Sequence, residues 1–213
     1  MKQILLIACM LCSLTLPAQD IKSLFIELPD SLSPLLTKVN REDFGDFLAS
    51  NMKAEVRNRF GKTSEMITMT DDYLMLKVSS VSTAEMKLLP VNDSVKVICV
   101  VRTYTAPAAD SQIEFYDTSW QELPLSDFLT LPAEDTFYKH PQSAVQADSL
   151  RNLRASADMY LLKAELSKEE PVLTFTYTTP DYLDEETAGK LRAYLVAAPL
   201  RYKWKDGKFV SSL

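Results

Sequence analysis

Histidine, cysteine and glycine are scarce in this sequence, although they supply most metal centres and phosphate-binding loops. The 213 residues include one histidine, three cysteines and four glycines. A zinc site needs several clustered His, Cys, Asp or Glu ligands, so this chain cannot build the usual one. Four glycines leave no Gly-rich phosphate loop. We therefore expect no metal centre, no cofactor and no catalytic residue that the sequence can identify.

Basic side chains are outnumbered by acidic ones. Lysine and arginine together number 23, against 29 aspartates and glutamates, which gives a formal net charge of −6. Affinity for nucleic acid comes from cations that neutralise phosphates. The charge balance therefore argues against nucleic acid as a partner, and equally against an anionic membrane surface.

Residues 1–18 have the three-part layout of a bacterial secretory signal peptide. Lys2 supplies the positive start, Ile4–Leu16 is mostly apolar, and polar sequence begins after Ala18. The run is too short to span a bilayer, which takes about 20 apolar residues. The alternative, a lipid anchor on Cys9, would leave too few residues for an apolar signal core of roughly 7–15 residues. The sequence predicts export to the periplasm or the extracellular space, with no stable membrane anchor.

The rest of the chain alternates between helical and strand-like hydrophobic periods. Residues 20–61 have helical spacing, and residues 65–121 alternate with period two between short turn segments. After a connector, helical patterns at 142–157 and 181–197 are interspersed with further strands. This order predicts an α+β fold of antiparallel β-sheets with helices packed on one side. We place an N-terminal helical and β-meander lobe at 19–124 and a C-terminal α+β lobe at 125–213.

The two predicted lobes resemble each other faintly. Asp72–Lys77 aligns with Asp158–Lys163, and each lobe ends on two aromatic residues that flank an aspartate. Two similar lobes produced by an internal duplication would explain this order. The alternative is that strands and turns share the same composition in any protein.

Cys99 is the one cysteine that signal cleavage would leave. It lies in Val95–Val101, which is apolar at positions that face both sides of a sheet. His140 has no visible connection to it. We therefore expect a buried, unreactive thiol in a central strand and not a nucleophile.

A group of acidic residues at Asp181, Asp184, Glu185 and Glu186 is dense enough to be considered for calcium. Their spacing does not follow the alternating ligand pattern of a calcium loop. Carboxylates at the positive end of a helix explain them better.

Three aromatic residues are the candidate binding residues of this chain. Tyr202 and Trp204 precede the hairpin turn Asp206–Gly207, and Phe209 follows it. Exposed aromatic rings on a sheet can bind a protein or a glycan. The competing interpretation is that these rings fill the core.

Three serines lie in tripeptides of the form Asp, Ser, aliphatic residue: Ser31, Ser94 and Ser149. This form resembles the O-glycosylation signal of exported proteins in Bacteroides-type bacteria. The alternative is structural, because Asp-Ser is also common at turns and helix caps.

Taken together, the sequence resembles an uncharacterised family of exported proteins from Bacteroidales gut bacteria, known as a domain of unknown function. The features that carry the resemblance are Leu16–Asp20, Ile21–Leu28, Thr70–Tyr73 and Trp204–Phe209. The resemblance implies an exported α+β protein without an assigned activity. We expect a non-enzymatic binding or interaction module of the envelope, with an unknown protein or glycan as partner. The alternatives are a hydrolase that uses acidic residues and a structural component of an envelope assembly.

Export makes a direct prediction about the N-terminus. Mass spectrometry of the mature protein should find a chain that begins at or near Gln19. A diacylated N-terminal Cys9 would contradict both the cleavage site and the absence of an anchor.

Overall fold

The computed structural model describes residues 20–212, so the predicted signal peptide at 1–18 and Cys9 lie outside the described residues. The described chain forms two antiparallel sheets and four α-helices. The larger sheet contains β1 (Glu55–Arg57), β2 (Thr63–Met69), β3 (Tyr73–Ser79), β4 (Ser82–Pro90), β5 (Lys96–Tyr104), β6 (Asp110–Asp117) and β7 (Glu122–Leu123). The smaller sheet contains β8 (Leu162–Leu166), β9 (Val172–Tyr177), β10 (Leu200–Lys205) and β11 (Lys208–Ser211). The helices are α1 (Ile21–Ile26), α2 (Lys38–Ala49), α3 (Ala144–Ser156) and α4 (Glu185–Arg192). The predicted α+β class with antiparallel sheets is confirmed.

Both sheets are meanders in which each strand pairs with its neighbours in the sequence. The spatial order is β1 to β7 in the larger sheet and β11 to β8 in the smaller one, with every pair antiparallel. Short connections between consecutive strands favour this arrangement. The larger sheet lies within the predicted lobe 19–124 and the smaller within 125–213, whereas their facing side chains share one hydrophobic cluster.

Side-chain caps fix where the helices begin. The Asp20 carboxylate accepts a hydrogen bond from the Ser23 N–H at 2.7 Å at the start of α1. Thr37 and Asn40 form a reciprocal capping box at the start of α2. At the starts of α3 and α4, the Ser143 and Asp184 side chains accept hydrogen bonds from the N–H groups of Gln146 and Thr187.

The helical pattern predicted as far as Gly61 is wrong in the connection between α1 and α2 and again beyond Ala49. Val56 lies in the three-residue strand β1, opposite Ser64 of β2, and Phe60 is 74% exposed in the following turn. Pairing with β2 determines this strand, and so short a segment carries no period of its own from which to predict it.

The larger sheet has two covered faces. Alternate residues such as Leu74 and Met86 form the helix-covered face, which packs against α1 and α2. The other residues, such as Cys99 and Phe115, form the inner face, which shares a cluster with the smaller sheet, α3 and α4. The burial of β5 on both faces follows, since its apolar residues from Val97 to Val101 are at most 3% exposed. Cys99 is fully buried as predicted, and burial raises the pKa of its thiol.

The edge of the smaller sheet at β8 is covered by polar side chains of the larger sheet. Three alternate backbone N–H groups of β8 each donate to one such side chain. The pairs are Leu162 N to Asp110 Oδ1 at 3.1 Å, Ala164 N to Ser111 Oγ at 2.9 Å and Leu166 N to Glu85 Oε2 at 3.2 Å. An unpaired strand edge is thereby satisfied inside the protein.

Asp110, Ser111 and Glu85 with the β8 N–H groups form the joint between the sheets, and Glu85 is its buried carboxyl group. It is 7% exposed, and its Oε1 accepts a hydrogen bond from the Tyr73 hydroxyl at 2.6 Å. Desolvation raises the pKa of the Glu85 carboxyl, against the opposing effect of its two hydrogen bonds. Beside it, the buried Lys87 ammonium lies 3.0 Å from the Asp72 carboxylate and donates to the Lys168 carbonyl at 2.8 Å.

The proposed duplication stays a hypothesis. Asp72–Lys77 leads into β3, which lies between two other strands, whereas Asp158–Lys163 leads into β8, which lies at a sheet edge. The two sheets also differ in size.

The raised pKa of Glu85 predicts a specific pH dependence of stability. The native state binds the Glu85 proton more tightly than the unfolded state, so this contribution is complete below the ordinary value of 4.5 and is lost as pH rises through the native pKa. The free energy of unfolding of wild type, relative to Glu85→Gln, should therefore fall as pH increases above about 4.5. Urea melts across pH 3–8 measure it, with Glu122→Gln at the exposed sheet edge as the control. A difference between wild type and Glu85→Gln that stays constant with pH would contradict this account.

Candidate functional site: an apolar pocket on the helix-covered face

The hairpin aromatics identified from the sequence pack into the inner cluster. Tyr202 is 8% exposed and Phe209 is 4% exposed. The Tyr202 ring meets the edge of Phe175 at a centroid distance of 5.2 Å. No ligand can reach these two rings while the sheets stay together.

Trp204 is half-buried on the same side of β10. Its ring lies 4.9 Å from Phe209 and stacks at 6.2 Å on Phe128, and its Nε1 donates to the Pro90 carbonyl at 2.6 Å. This indole joins the β10–β11 hairpin to the end of β4.

The three candidate O-glycosylation serines lie far apart in the fold. Ser31 is exposed in the turn between α1 and α2, and Ser94 is exposed in the connection from β4 to β5. Ser149 is half-buried within α3. Two of the three are thus on accessible irregular segments.

The acidic group near Asp184 is a helix start. Asp184 accepts from the Thr187 N–H at 3.0 Å, Glu186 pairs with Lys190 at 2.5 Å, and Asp181 pairs with Arg192 at 2.6 Å. Across residues 20–212, no group of three or more His, Cys, Asp or Glu residues is arranged to hold a metal ion. His140 is exposed before α3, far along the chain from the buried Cys99.

A half-buried polar cluster around Glu134 was not predicted from the sequence. The hydroxyl groups of Tyr138 and Tyr177 lie 3.1 and 3.0 Å from Glu134 Oε1, and Arg154 reaches Glu134 Oε2 at 2.8 Å. Desolvation raises the pKa of both tyrosines. These contacts tie α3 to the smaller sheet, and each of the four side chains already has a partner within the protein.

A cavity of about 150 Å³ opens on the helix-covered face of the larger sheet. We call it the apolar pocket. Its walls come from α1, the α1–α2 connection, and strands β3, β4 and β5. The lining includes Phe25, Leu32, Leu76, Ala84, Met86, Arg102 and Tyr104. Of the residues that line it, none carries a carboxyl, imidazole or thiol group.

Arg41 holds the α1–α2 connection in the shape that forms one wall of the pocket. Its guanidinium is 2% exposed and donates to the carbonyl groups of Ile26, Leu28 and Leu36 at 3.2, 2.7 and 3.0 Å. It also pairs with Asp30 at 3.2 Å. A buried guanidinium with this many acceptors fixes an otherwise irregular segment over the sheet.

Arg102 brings a neutralised positive charge to the pocket. Its guanidinium forms an ion pair with Glu114 and donates to the Leu32 carbonyl at 3.3 Å. Tyr116 donates to the same Glu114 at 2.9 Å, and burial raises the pKa of Tyr116 to about 12. Because Glu114 balances Arg102, the pocket attracts apolar groups more than anions.

The rim combines hydroxyl groups with exposed apolar side chains. Ser33, Ser82 and Thr83 supply the hydroxyls. Tyr104 is 56% exposed, and the neighbouring Val81 is 48% exposed. An apolar cavity of this size holds one benzene-sized group. The pocket can therefore bind one phenyl or branched aliphatic group, with polar contacts around it.

Sequence reasoning missed this pocket because its walls are distant in the chain. Leu32, Leu76 and Arg102 come together only through the sheet and the α1–α2 connection. Tyr104 lies at the end of β5 and Val81 in the turn between β3 and β4, and their exposure is apparent only in the folded chain.

Fold and pocket together define an α+β protein of two antiparallel meanders with a small apolar pocket. The chain belongs to the family described as protein of unknown function (DUF3256), whose model matches residues 13–209. No curated protein matches the chain. A similar solved structure is described as a domain of an uncharacterized protein from Porphyromonas gingivalis W83, a member of the Bacteroidales. It is 28% identical, the match covers 90% of this chain and 97% of that one, and the TM-score is 0.79. Among the described residues, no helix combines the length and apolar character needed to cross a membrane.

The packing of Trp204 predicts a structural role. Trp204→Ala should lower the free energy of unfolding by about 3 kcal/mol, because it removes stacking in the inner cluster. Tyr182→Ala, at a ring that is 46% exposed, is the control and should change stability little. Thermal and urea melts measure both. Unchanged stability of Trp204→Ala would return this hairpin to consideration as a binding face.

Proposed function

We propose that the protein is an exported, non-enzymatic binding module of the envelope of a Bacteroidales gut bacterium. Its partner is a protein that inserts one apolar side chain into the apolar pocket. The observation that carries the proposal is this partly enclosed cavity of about 150 Å³, lined by apolar side chains and surrounded by hydroxyl groups. Export rests on the sequence of residues 1–18.

The composition of the pocket favours a protein over a glycan as the partner. Protein interfaces combine a desolvated apolar centre with a polar rim, and tyrosine is enriched among their energetically important residues. Phe25, Leu76 and Met86 supply such a centre, and Tyr104 stands at its rim. A neutral glycan would instead need aromatic faces and free polar groups, whereas Arg102 is already paired with Glu114.

Binding is a better account of this pocket than hydrolysis. A hydrolase that uses acidic residues needs two carboxylates that converge on one cavity. Glu55 and Glu65 are neighbours across the β1–β2 pair, but they lie on an open face and both pair with Lys53, at 2.5 and 3.7 Å.

Filling the pocket tests the proposal. Ala84→Leu places three more carbon atoms at the pocket floor, and a melting curve first establishes that it folds. Wild type and Ala84→Leu are immobilised in parallel and exposed to envelope extract. A protein retained by wild type alone is then purified, and its affinity is measured by calorimetry. Loss of an anchor contact should weaken binding by about 2 kcal/mol, or roughly thirtyfold.

Val39→Leu is the matched control, since it enlarges a side chain on α2 that is 61% exposed. It should bind like wild type. If Ala84→Leu does not fold, Val78→Phe at the half-buried pocket wall replaces it. A partner that binds the filled and open pockets with equal affinity would refute this location.

A further inference from the structure

The outward face of the smaller sheet carries a group of cations that none of the preceding functional arguments uses. Side chains alternate along a strand. Since Tyr202 and Trp204 of β10 point inward, Arg201, Lys203 and Lys205 point outward. The outward cations are Lys163, Arg201, Lys203, Lys205 and Lys208, and we call this surface the basic face. Cross-strand pairing places Lys205 opposite Lys208, and Arg201 opposite Thr174.

Two of these five cations are neutralised and three are not. Lys163 pairs with Glu165 at 2.6 Å, and Arg201 pairs with Glu170 at 3.1 Å. Within residues 20–212, Lys203, Lys205 and Lys208 take part in no ion pair, and all three are exposed. The nearest acid in the sequence is Asp206, at the hairpin turn. A chain of net charge −6 thus presents three unpaired ammonium groups close together on one sheet.

We propose that the basic face binds a linear acidic polysaccharide, whose carboxylate or sulfate groups contact Lys203, Lys205 and Lys208. The half-buried hydroxyl-bearing residues Thr174 and Thr176 lie on the same face and offer hydrogen bonds to sugar hydroxyls. Charge complementarity selects a polyanion, and the flat, hydroxyl-bearing surface accommodates a hydrated chain.

Other anionic partners fit this face less well. An acidic protein is disfavoured because protein interfaces are depleted in lysine and have an apolar centre, whereas the one large apolar side chain exposed on the basic face is Val210. Single-stranded nucleic acid is held by stacking on aromatic rings, and the rings of this hairpin point inward. An anionic membrane surface or a nucleic-acid duplex would extend beyond the basic face and approach other parts of the protein. The net negative charge of the protein would repel such a broad anionic surface.

The basic face and the apolar pocket are separate surfaces formed by different sheets. The pocket opens on the helix-covered face of the larger sheet, and the basic face is the outward side of the smaller sheet, beyond the inner cluster. The inference therefore stands whether or not the pocket binds a protein.

The test measures binding of the mature chain to polygalacturonate, with the neutral polysaccharide dextran as the comparison. Wild type should bind polygalacturonate and not dextran, and added salt should weaken the binding. The triple variant Lys203→Gln, Lys205→Gln, Lys208→Gln should lose about fivefold per lysine, or roughly a hundredfold in total.

A charge-matched triple variant separates this surface from net charge. Lys62→Gln, Lys77→Gln and Lys96→Gln remove three exposed lysines elsewhere, and this variant should retain wild-type affinity to within about twofold. Equal losses in both triple variants would overturn the assignment, as would the absence of binding to polygalacturonate. Tighter binding to polyglutamate, single-stranded DNA or phosphatidylserine vesicles would also overturn it and identify another occupant. Melting curves of both triple variants confirm that they fold.

Discussion

The arrangement of the whole molecule depends on how the edge of the smaller sheet is satisfied. The N–H groups of Leu162, Ala164 and Leu166 point away from their own sheet and would be unpaired in an isolated meander. Side chains of the larger sheet accept all three hydrogen bonds. A buried donor left without a partner costs about 1–3 kcal/mol, so the joint specifies where the two sheets meet. It also explains why a carboxylate is tolerated at Glu85, inside an otherwise apolar cluster.

Strand alternation and helix caps could be predicted from local sequence. The alternation around Leu74 and Leu76, the buried run that contains Cys99, and the Asp20 cap each depend on a few neighbouring residues. The hairpin at Asp206–Gly207 is equally local, and both residues have the positive φ that such a turn requires. Strand β1 could not be predicted in this way, because pairing with β2 determines it.

The joint between the sheets and the apolar pocket could not be predicted from local sequence either, because both depend on residues that are distant in the chain. Glu85 gives no sign in the sequence that it will cap Leu166, which follows 81 residues later. The pocket likewise needs Arg41 to hold the α1–α2 connection over β3 and β4, through carbonyl groups that any residue could supply. Long-range contacts create both features, so only the assembled fold reveals them. The Glu134 cluster, which links residues from three separate segments, is another case.

The alternation of side chains along β10 explains both the burial of its aromatic rings and the exposure of its cations. The sequence identified Tyr202 and Trp204 as candidate binding residues because aromatic residues at a hairpin can bind a ligand. Burial of these two rings leaves Arg201, Lys203 and Lys205 on the opposite side of β10, facing solvent. The same packing that stabilises the inner cluster thus holds the cations in fixed register with Lys208 on β11. A rigid strand pair loses little entropy when a ligand binds, so the aromatic core that stabilises the hairpin also pre-organises its charged face.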